Sequence, residues 1–485
     1  MRVLEREQLK PNLTPGGPVP LVVDIDGTLI QTDLLWEGVM QMLVRRPARV
    51  FGLFPALLRG RAALKAFAAS HGAPDLDVMP MSPAVMELIE AARAAGRPVI
   101  LASAAHQAQV DVLARQVGAQ DGWGSDESVN LSAGAKLAKI QSACAGFDYV
   151  GNASADLEMW EKARNAYVVN ANPLTLWKAR RRRPDLIELP SSMRPLAASL
   201  RAIRPHQWAK NALLLLPALA AHVPFSWSVL TTLLAGFVAF SLAASAIYVI
   251  NDLVDLPHDR RHPSKRRRPF AAGQLPIPVG ILMVAGLVTT SLLLTVSLPS
   301  GFRWTLLGYL ALTTAYSFSI KRVPVLDVIA LATLYTARVI AGAALVDVPL
   351  SRWFLAFSVF LFLSLALVKR VVELQAKGAT DGAAIPGRGY VHADIPMLTA
   401  LGTSATLATA LVYCLYITGT EVGRLYTNPD ILWLELPLLL YWQIRVWLLT
   451  GRRQMVHDDP VVFALRDRAS HVTLAVFLLV MVLAA

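Results

Sequence analysis

Residues 251–259 read NDLVDLPHD, and residues 260–268 continue the chain as RRHPSKRRR. These acids end a stretch apolar enough to span a bilayer, where carboxylates are costly unless something binds them. Carboxylates are suitable ligands for Mg²⁺. This ion is seldom enclosed by protein ligands alone and usually takes phosphate oxygens as additional ligands. The stretch therefore predicts a magnesium and diphosphate site at a membrane face.

Composition indicates a membrane setting for only part of the chain. Of 485 residues, 55% are hydrophobic and 16% are charged, yet roughly the first 200 resemble a soluble protein. The net charge of +12 comes from basic residues beside apolar runs, which favours anionic lipid and phosphate ligands over nucleic acid. The two cysteines, Cys144 and Cys414, suggest no disulfide framework. The polar N-terminus lacks the apolar core of a signal peptide, so we expect a cytoplasmic N-terminal domain.

The second half of the chain contains nine apolar stretches long enough, or nearly long enough, to span a bilayer. They lie at about 211–225, 229–250, 276–298, 302–320, 325–346, 353–374, 395–418, 431–449 and 470–485. Lys and Arg cluster in the connections on one side, which places those loops and the N-terminus in the cytoplasm. The sequence thus predicts a multi-pass protein of the inner (plasma) membrane, in contact with the lipid bilayer. Segment 178–205, rich in Pro and Arg, is expected to be a linker against acidic headgroups.

Helical spacing brings several of the polar groups together. Asn251 and Asp255 are four residues apart and share a helix face, while Pro257 should end that helix and leave Asp259 on the following loop. Farther on, Asp327 comes eleven residues before an arginine, so the two point the same way, about 16 Å apart along a helix axis. Each single charge is explained equally well as an interfacial charge or as a pair inside the helix bundle.

Residues 251–273, NDLVDLPHDRRHPSKRRRPFAAG, resemble the first signature of the UbiA superfamily of intramembrane transferases, and nine helices also fit that family. The resemblance covers about residues 196–485 and implies that Mg²⁺, held by two acidic motifs, ionises a prenyl diphosphate. This chain departs from the pattern, because its second motif has Asp327 followed by Leu331 in place of two aspartates four apart. Other segments are similar to the branch that transfers phosphoribosyl from phosphoribosyl diphosphate to a polyprenyl phosphate: 204–211, 369–373, 388–390 and 458–460.

The resemblance implies a role for each polar residue. Mg²⁺ and cations would neutralise a departing diphosphate, so that a lipid phosphate oxygen captures an oxocarbenium-like sugar. Asp252 and Asp255 would be catalytic, and the metal would be held by Asn251, Asp252, Asp255 and Asp259, with Asp327 on a second metal or a ribose hydroxyl. The residues expected to bind substrate are Lys210, Lys265, Tyr316, Lys321, Arg338, Lys369 and Arg388. A Lys or Arg at a helix end is, however, more often a snorkelling anchor.

Residues 21–29, LVVDIDGTL, form an apolar strand that runs into two acids and a Gly-Thr turn. Side chains alternate along an extended chain, so the two acids diverge, and one can attack phosphorus while the other handles a proton. The pattern resembles the haloacid dehalogenase superfamily over about residues 18–177, which implies a Rossmann-like α/β fold with a small helical cap at 34–80. By that resemblance Asp24 is the nucleophile, Asp26 the general acid/base, Ser103 and Lys136 phosphate ligands, and Asp24, Asn152 and Asp156 the Mg²⁺ site.

Asn152 stands where the last motif of that superfamily usually has an aspartate. Its oxygen is neutral, so metal affinity should fall, and hydrolysis should be slow or absent. The N-terminal domain is therefore either a working phosphatase or a degenerate regulatory domain. A working phosphatase would remove the terminal phosphate of a polyprenyl-phosphoryl ribose 5-phosphate, because tethering gives it a high effective concentration.

The sequence thus predicts a haloacid dehalogenase-like domain at 1–177, a linker at 178–205 and an all-α membrane bundle of nine helices at 206–485. The preferred function is phosphoribosyl transfer to a polyprenyl phosphate. The alternative is a prenyltransferase that moves a polyprenyl group from its diphosphate to an aromatic acceptor of the 4-hydroxybenzoate type, with a regulatory N-terminal domain. A transporter is disfavoured because the sequence shows neither paired interrupted helices nor internal symmetry. A phosphatase that uses the helices only as a membrane anchor is also disfavoured, because one span would suffice for that purpose and the sequence predicts nine.

Overall fold

The computed structural model describes residues 19–125, 131–191, 195–376, 389–420, 422–455, 460–464 and 466–485. The described residues fall into two compact units. The first contains the chain up to Ile203 together with Tyr248–Val284, and the second contains Arg204–Ile247 together with Ala285–Ala485. The acidic stretch at 251–259 therefore groups with the N-terminal sequence, whereas composition alone assigns it to the membrane bundle.

The first unit is built on a six-stranded parallel sheet, as the sequence predicts for this half of the chain. The strands lie in the order β3-β2-β1-β4-β5-β6, and they are β1 Leu21–Val23, β2 Val99–His106, β3 Asp121–Ser125, β4 Asp148–Gly151, β5 Ala166–Val168 and β6 Ile187–Glu188. Val22 of β1 pairs with Ile100 of β2 on one side and with Tyr149 of β4 on the other. The strand order reverses between β1 and β4, and sheets of this kind bind ligands beyond the carboxyl ends of the strands at that point.

Strand β1 is short and apolar because both faces of the sheet are covered. Leu21 and Val23 pack into the hydrophobic core on one face, and Val22 packs into the core on the other face. All three side chains are almost fully buried. The strand therefore fixes the position of the acids that follow it.

Nine α-helices lie in the described residues up to Ile203. They are α1 Leu34–Arg45, α2 Leu53–Leu58, α3 Arg61–His71, α4 Pro83–Ala94, α5 Gln107–Val117, α6 Ala133–Ala143, α7 Leu157–Lys162, α8 Pro173–Arg182 and α9 Pro195–Ala202. Helices α1 to α3 occupy the interval expected for the cap, and Asp33 caps α1 by accepting hydrogen bonds from the N–H groups of Leu35 and Trp36. The expected linker, residues 178–205, contains the end of α8, strand β6 and helix α9.

The described residues that follow α9 are largely helical. Their α-helices are α10 Leu216–Ala220, α11 Trp227–Val254, α12 Leu256–Arg261, α13 Ile277–Thr295, α14 Ser300–Phe318, α15 Leu326–Leu345, α16 Arg352–Ala376, α17 Ile395–Ile417, α18 Val422–Leu425, α19 Glu435–Gly451, α20 Pro460–Ala464 and α21 Arg468–Ala484. Pro257 does end the long helix α11, but Asp259 lies on α12 and not on a loop. The reason is that proline is tolerated in the first turn of a helix, so Pro257 also begins the next one.

Among the described residues, six helical segments are long and apolar enough to cross a membrane, where the sequence predicts nine. They are Trp227–Val254, Ile277–Thr295, Leu326–Leu345, Arg352–Ala376, His392–Ile417 and Pro429–Gly451. The stretch at 211–225 is divided between a 3₁₀ helix, Pro205–Leu215, and the five residues of α10. The stretch at 302–320 forms α14, which includes Arg303 and several Ser, Thr and Tyr residues. The stretch at 470–485 forms α21, which has only 17 residues.

Candidate active sites

Asp24 is the first residue beyond the carboxyl end of β1, at the point where the strand order reverses. Its Oδ1 accepts a hydrogen bond from Lys136 Nζ at 2.7 Å, and its Oδ2 accepts one from the Thr28 hydroxyl at 3.3 Å. Burial raises the pKa of Asp24, and the Lys136 ammonium opposes that rise. The predicted nucleophile thus has a cation and a hydroxyl beside it.

Asp26 points to a different set of partners, as the alternation of side chains predicts. Its Oδ1 accepts a hydrogen bond from the Leu34 N–H at 2.9 Å, and its Oδ2 accepts one from the Ser103 hydroxyl at 3.4 Å. Burial raises the pKa of Asp26 to about 7, and the neighbouring Asp33 adds to the rise. A carboxyl group that titrates near neutral pH can both donate and accept a proton, which a general acid/base requires.

Lys136 projects from α6 and lies between two carboxylates. Its Nζ is 2.7 Å from Asp24 Oδ1 and 3.8 Å from Asp156 Oδ1. Burial works to lower the pKa of Lys136, but the two aspartates outweigh it and hold the pKa above its usual value. Tyr149 donates a hydrogen bond to Asp156 at 2.6 Å and accepts one from Lys136 at 3.2 Å. Sequence analysis missed Tyr149 because an aromatic residue inside an apolar strand gives no signal of a site.

Asn152 follows β4 and lies against the loop that carries the two acids. Gly27 in that loop has a φ of 74°, and a Cβ at this position would overlap Asn152 Nδ2. A second asparagine, Asn170, donates a hydrogen bond to the Gly27 carbonyl at 3.0 Å. Asp156 Oδ2 accepts hydrogen bonds from the N–H groups of Asn152 and Ala153. The side chains of Asp24, Asn152 and Asp156 therefore lie close together in this first site.

The acidic stretch forms a second site in the same compact unit. Asp252 and Asp259 are both buried and share one cation, because Arg268 Nη1 is 3.2 Å from Asp252 Oδ1 and 2.6 Å from Asp259 Oδ2. Burial raises the pKa of Asp259, and the Arg268 guanidinium opposes that rise. Asn251 and Asp255 are half-buried next to them. Two carboxylates that converge on one positive nitrogen make a donor set that also suits a divalent cation.

In the part of the chain that the structure describes, no three His, Cys, Asp or Glu side chains are grouped tightly enough to hold a metal ion by themselves. Mg²⁺ seldom requires such a cage, since it keeps several waters and takes substrate phosphate oxygens as ligands. Two carboxylates with a neighbouring amide, as at Asp24 and Asp156 or at Asp252 and Asp259, fit that mode of binding.

Asp327, at the start of α15, is fully buried in the second unit. Its Oδ1 accepts a hydrogen bond from the Tyr390 hydroxyl at 2.5 Å, and its Oδ2 lies 2.5 Å from Arg370 Nη2. Arg370 is also fully buried and pairs in addition with Glu373. Both carboxylate oxygens are thus engaged by protein groups. The geometry favours an ion pair inside the bundle over the predicted role as a ligand of a second metal or of ribose.

Arg338 is a buried cation in α15 with three neutral hydrogen-bond partners in contact with its guanidinium. It donates hydrogen bonds to Asn211 Oδ1 at 2.9 Å, to the Leu334 carbonyl at 2.6 Å and to the Tyr309 hydroxyl at 3.0 Å. Its guanidinium lies 5.0 to 5.5 Å from the ring centroids of Phe240, Tyr309 and Tyr335. Aromatic faces stabilise a desolvated guanidinium, so this arrangement holds a full positive charge in an apolar region.

The other predicted substrate ligands differ in exposure. Lys210 is buried, Tyr316, Lys321 and Lys369 are half-buried, and Lys265 is exposed. Arg388 and the acids of 458–459 lie outside the described residues. The structure brings the predicted residues of the N-terminal site together, and it joins Asp252 to Asp259. It pairs Asp327 with Arg370, which directly follows Lys369, the residue that the sequence predicts as a substrate ligand.

Comparisons with known proteins identify the family of the membrane part of the chain. A family model described as the UbiA prenyltransferase family matches residues 212–466. An uncharacterized protein of Sinorhizobium fredii is 36% identical over 456 residues, which cover 93% of this chain and 88% of that protein. A decaprenyl-phosphate phosphoribosyltransferase of Mycobacterium tuberculosis is 40% identical over 194 residues, which cover 39% of this chain and 64% of that protein. The solved structure of a UbiA homolog from Archaeoglobus fulgidus bound to GPP and Mg²⁺ gives a TM-score of 0.46 at 16% identity, covering 58% of this chain and 97% of that one.

Proposed function

Because this chain belongs to the UbiA prenyltransferase family, we propose that it is a Mg²⁺-dependent membrane enzyme that transfers phosphoribosyl from phosphoribosyl diphosphate to a polyprenyl phosphate. The observation that carries the chemistry is the pair of buried aspartates, Asp252 and Asp259, that converge on one cation. The choice of donor and acceptor is supported by the 40% identity to a protein named decaprenyl-phosphate phosphoribosyltransferase. The basic loops and the N-terminal domain are assigned to the cytoplasmic side of the plasma membrane, where the positive residues of a multi-pass protein concentrate.

In this proposal the acidic stretch binds the donor. Asn251, Asp252, Asp255 and Asp259 would hold Mg²⁺ at the place where the diphosphate of the donor binds. Bound Mg²⁺ supplies positive charge to the diphosphate as it leaves. Lys265 and Arg268 belong to the same segment and add two more positive charges close to those acids. The phosphate-binding roles of Lys210, Lys321, Arg338, Lys369 and Arg388, and of Tyr316, remain predictions.

The transfer breaks the bond between ribose C1 and the diphosphate oxygen, and the electron pair leaves with the diphosphate. A phosphate oxygen of the polyprenyl phosphate then forms the new bond to C1. Asp327 has a supporting role in this scheme, because its carboxylate neutralises the buried Arg370 and accepts the Tyr390 hydroxyl. A buried guanidinium without such a partner would be strongly destabilising.

The N-terminal domain is proposed to remove the 5-phosphate from the lipid product. An Asp24 oxygen attacks the phosphorus while Asp26 gives a proton to the ribose oxygen that leaves. Asp26 then takes a proton from the water that hydrolyses the aspartyl phosphate, which restores both carboxyl groups. Lys136 and Ser103 would hold the phosphoryl oxygens, and their contacts with Asp24 and Asp26 support that assignment.

The alternative is a prenyltransferase with an aromatic acceptor and a regulatory N-terminal domain. Two observations favour it, namely the description of the matched family as prenyltransferases and the neutral Asn152 in the N-terminal site. It predicts that a long prenyl diphosphate is consumed and that phosphoribosyl diphosphate is not.

A two-substrate assay on purified full-length protein tests the proposal. The protein is incubated with Mg²⁺, labelled phosphoribosyl diphosphate and a polyprenyl phosphate, and in parallel with a labelled prenyl diphosphate and 4-hydroxybenzoate. The proposal predicts label in the lipid fraction of the first reaction only. Label in the aromatic product of the second reaction, with none in the lipid of the first, would establish the alternative.

A further inference from the structure

Besides the apolar helices of the second half of the chain, one segment of the cap region has the composition of a membrane-binding surface. It runs from the end of α1 to the start of α3. Six of the exposed side chains in and beside this segment are large and apolar: Leu43, Val44, Phe51, Phe54, Leu57 and Leu58. Phe51 is 84% exposed, Leu58 is 74% exposed and Phe54 is 69% exposed. Large apolar side chains so exposed and so close together in the chain are typical of a segment that binds a partner or a membrane.

The same segment is strongly basic. Six Lys or Arg residues and no acidic residue occur between Glu37 and Asp75. Four of the arginines, Arg45, Arg46, Arg49 and Arg59, are exposed among the apolar side chains. Exposed apolar side chains interspersed along the chain with exposed arginines are complementary to a surface that offers hydrocarbon and negative charge together.

The segment is too short to span a bilayer. The apolar helical run Pro47–Leu58 has 12 residues, whereas a span requires about 20. Helices of this length and composition lie in the plane of the interface, with apolar side chains in the lipid and arginines at the headgroups.

We propose that residues 43–59 form a membrane-docking surface of the cap, which inserts Phe51, Phe54, Leu57 and Leu58 among the lipids of an anionic leaflet. A second copy of the chain fits this surface less well, because two such segments would bring like charges together without an acid to neutralise them. The same chain contains six helical segments that are long and apolar enough to cross a bilayer, which makes a lipid surface the partner that this segment would meet. The docking itself does not depend on the proposed transfer reaction.

Docking has a consequence for the N-terminal site. Helix α3 directly follows the docking surface, and its Lys65 donates a hydrogen bond to the Ala104 carbonyl at 3.0 Å. Ala104 is next to Ser103, whose hydroxyl contacts Asp26. A docked cap would therefore hold one wall of this site close to the lipid surface, where a lipid-borne phosphate is presented. This consequence, unlike the docking, rests on the proposed function.

Fluorescence quenching in vesicles tests the docking on the full-length chain. Cys144 and Cys414 are replaced by serine, and an environment-sensitive fluorophore is attached at Phe54→Cys. The control label is at Ser142→Cys, an exposed position in α6. Vesicles of phosphatidylglycerol and phosphatidylcholine carry a lipid-bound quencher. The proposal predicts several-fold stronger quenching at position 54 than at position 142, and weaker quenching at position 54 when phosphatidylglycerol is left out.

Charge variants separate docking from accidental proximity. Arg46→Gln and Arg49→Gln should each lower the ratio of docked to undocked caps by about fivefold, because each arginine near an anionic surface contributes a similar interaction. Both residues are exposed, so folding should not change. Equal quenching at positions 54 and 142 would overturn the proposal. So would energy transfer between differently labelled molecules at position 54 without lipid quenching, which would assign the surface to self-association.

Discussion

Arg260 donates two hydrogen bonds to Glu37, from Nη1 to Oε2 at 3.1 Å and from Nη2 to Oε1 at 2.6 Å, and both side chains are almost fully buried. The Thr32 hydroxyl donates to the same Oε1 at 2.7 Å, and the Thr32 carbonyl accepts the Gly27 N–H. Arg260 directly follows Asp259. One buried ion pair therefore connects the acidic stretch to the loop that carries Asp24 and Asp26.

Replacing Glu37 with glutamine should destabilise the protein by about 3–5 kcal/mol, because Arg260 would be left as a buried charge without its partner. The measurement is thermal unfolding of the purified full-length variant. Glu188→Gln is the matched control, since the Arg180–Glu188 pair is about half exposed and should contribute less than about 1 kcal/mol. Equal unfolding temperatures for the two variants would show that the buried pair is not structural.

Gly27→Ala should abolish hydrolysis at the N-terminal site. The new Cβ would overlap Asn152 Nδ2, and the positive φ costs an alanine about 1 kcal/mol or more. Gly96→Ala is the control, because Gly96 has a φ of 68° and nothing within 4 Å of the added atom. The Gly96→Ala variant therefore has the same free-energy cost of a positive φ but no steric overlap. Release of phosphate from a simple phosphate ester measures the effect, and a similar loss in both variants would contradict the account.

Asn152→Asp should lower the Mg²⁺ concentration needed for half-maximal hydrolysis, by about tenfold or more, because a carboxylate replaces a neutral oxygen near Asp24 and Asp156. The measurement is a Mg²⁺ titration of phosphate release by the variant and the parent protein. An unchanged titration curve would remove this residue from the metal site.

Asp24→Asn should leave lipid transfer intact and cause the phosphorylated lipid to accumulate, because only the second reaction requires the nucleophile. Asp185→Asn is a suitable control, since the Asp185 side chain is 68% exposed. Mass spectrometry of the lipid products reads out the result. Identical product profiles for the two variants would rule out coupling of the reactions.

Asp327→Asn should lower the unfolding temperature even without Mg²⁺, because Arg370 loses its buried partner. A ligand of a second metal would behave differently. Its loss would raise the Mg²⁺ requirement for transfer and leave the stability of the metal-free protein unchanged, and that outcome would restore the role expected from the sequence.

Local sequence was sufficient to predict some parts of this molecule. The run LVVDIDGTL identifies β1 and the divergence of Asp24 and Asp26, because strand burial and alternation act between neighbouring residues. The partners of Asp327 and Glu37 were not predictable in this way. Arg370 and Arg260 are far from them in the chain, and only the packed structure brings the opposite charges together. Six helical segments among the described residues have the length and apolarity of a span, where the sequence predicts nine, and one reason for the difference is that a window of apolar residues does not reveal where a helix breaks.

The most direct test of the central claim is the rate at which labelled phosphoribosyl enters lipid in the Asp252→Ala, Asp255→Ala double variant, with Asp347→Asn as a control at an exposed acid. The account predicts that the double variant loses transfer by about a hundredfold or more, that phosphate-ester hydrolysis at the N-terminal site continues, and that the control retains both activities. Transfer by the double variant at the parental rate would contradict the account, because the acids would then have no part in releasing the diphosphate.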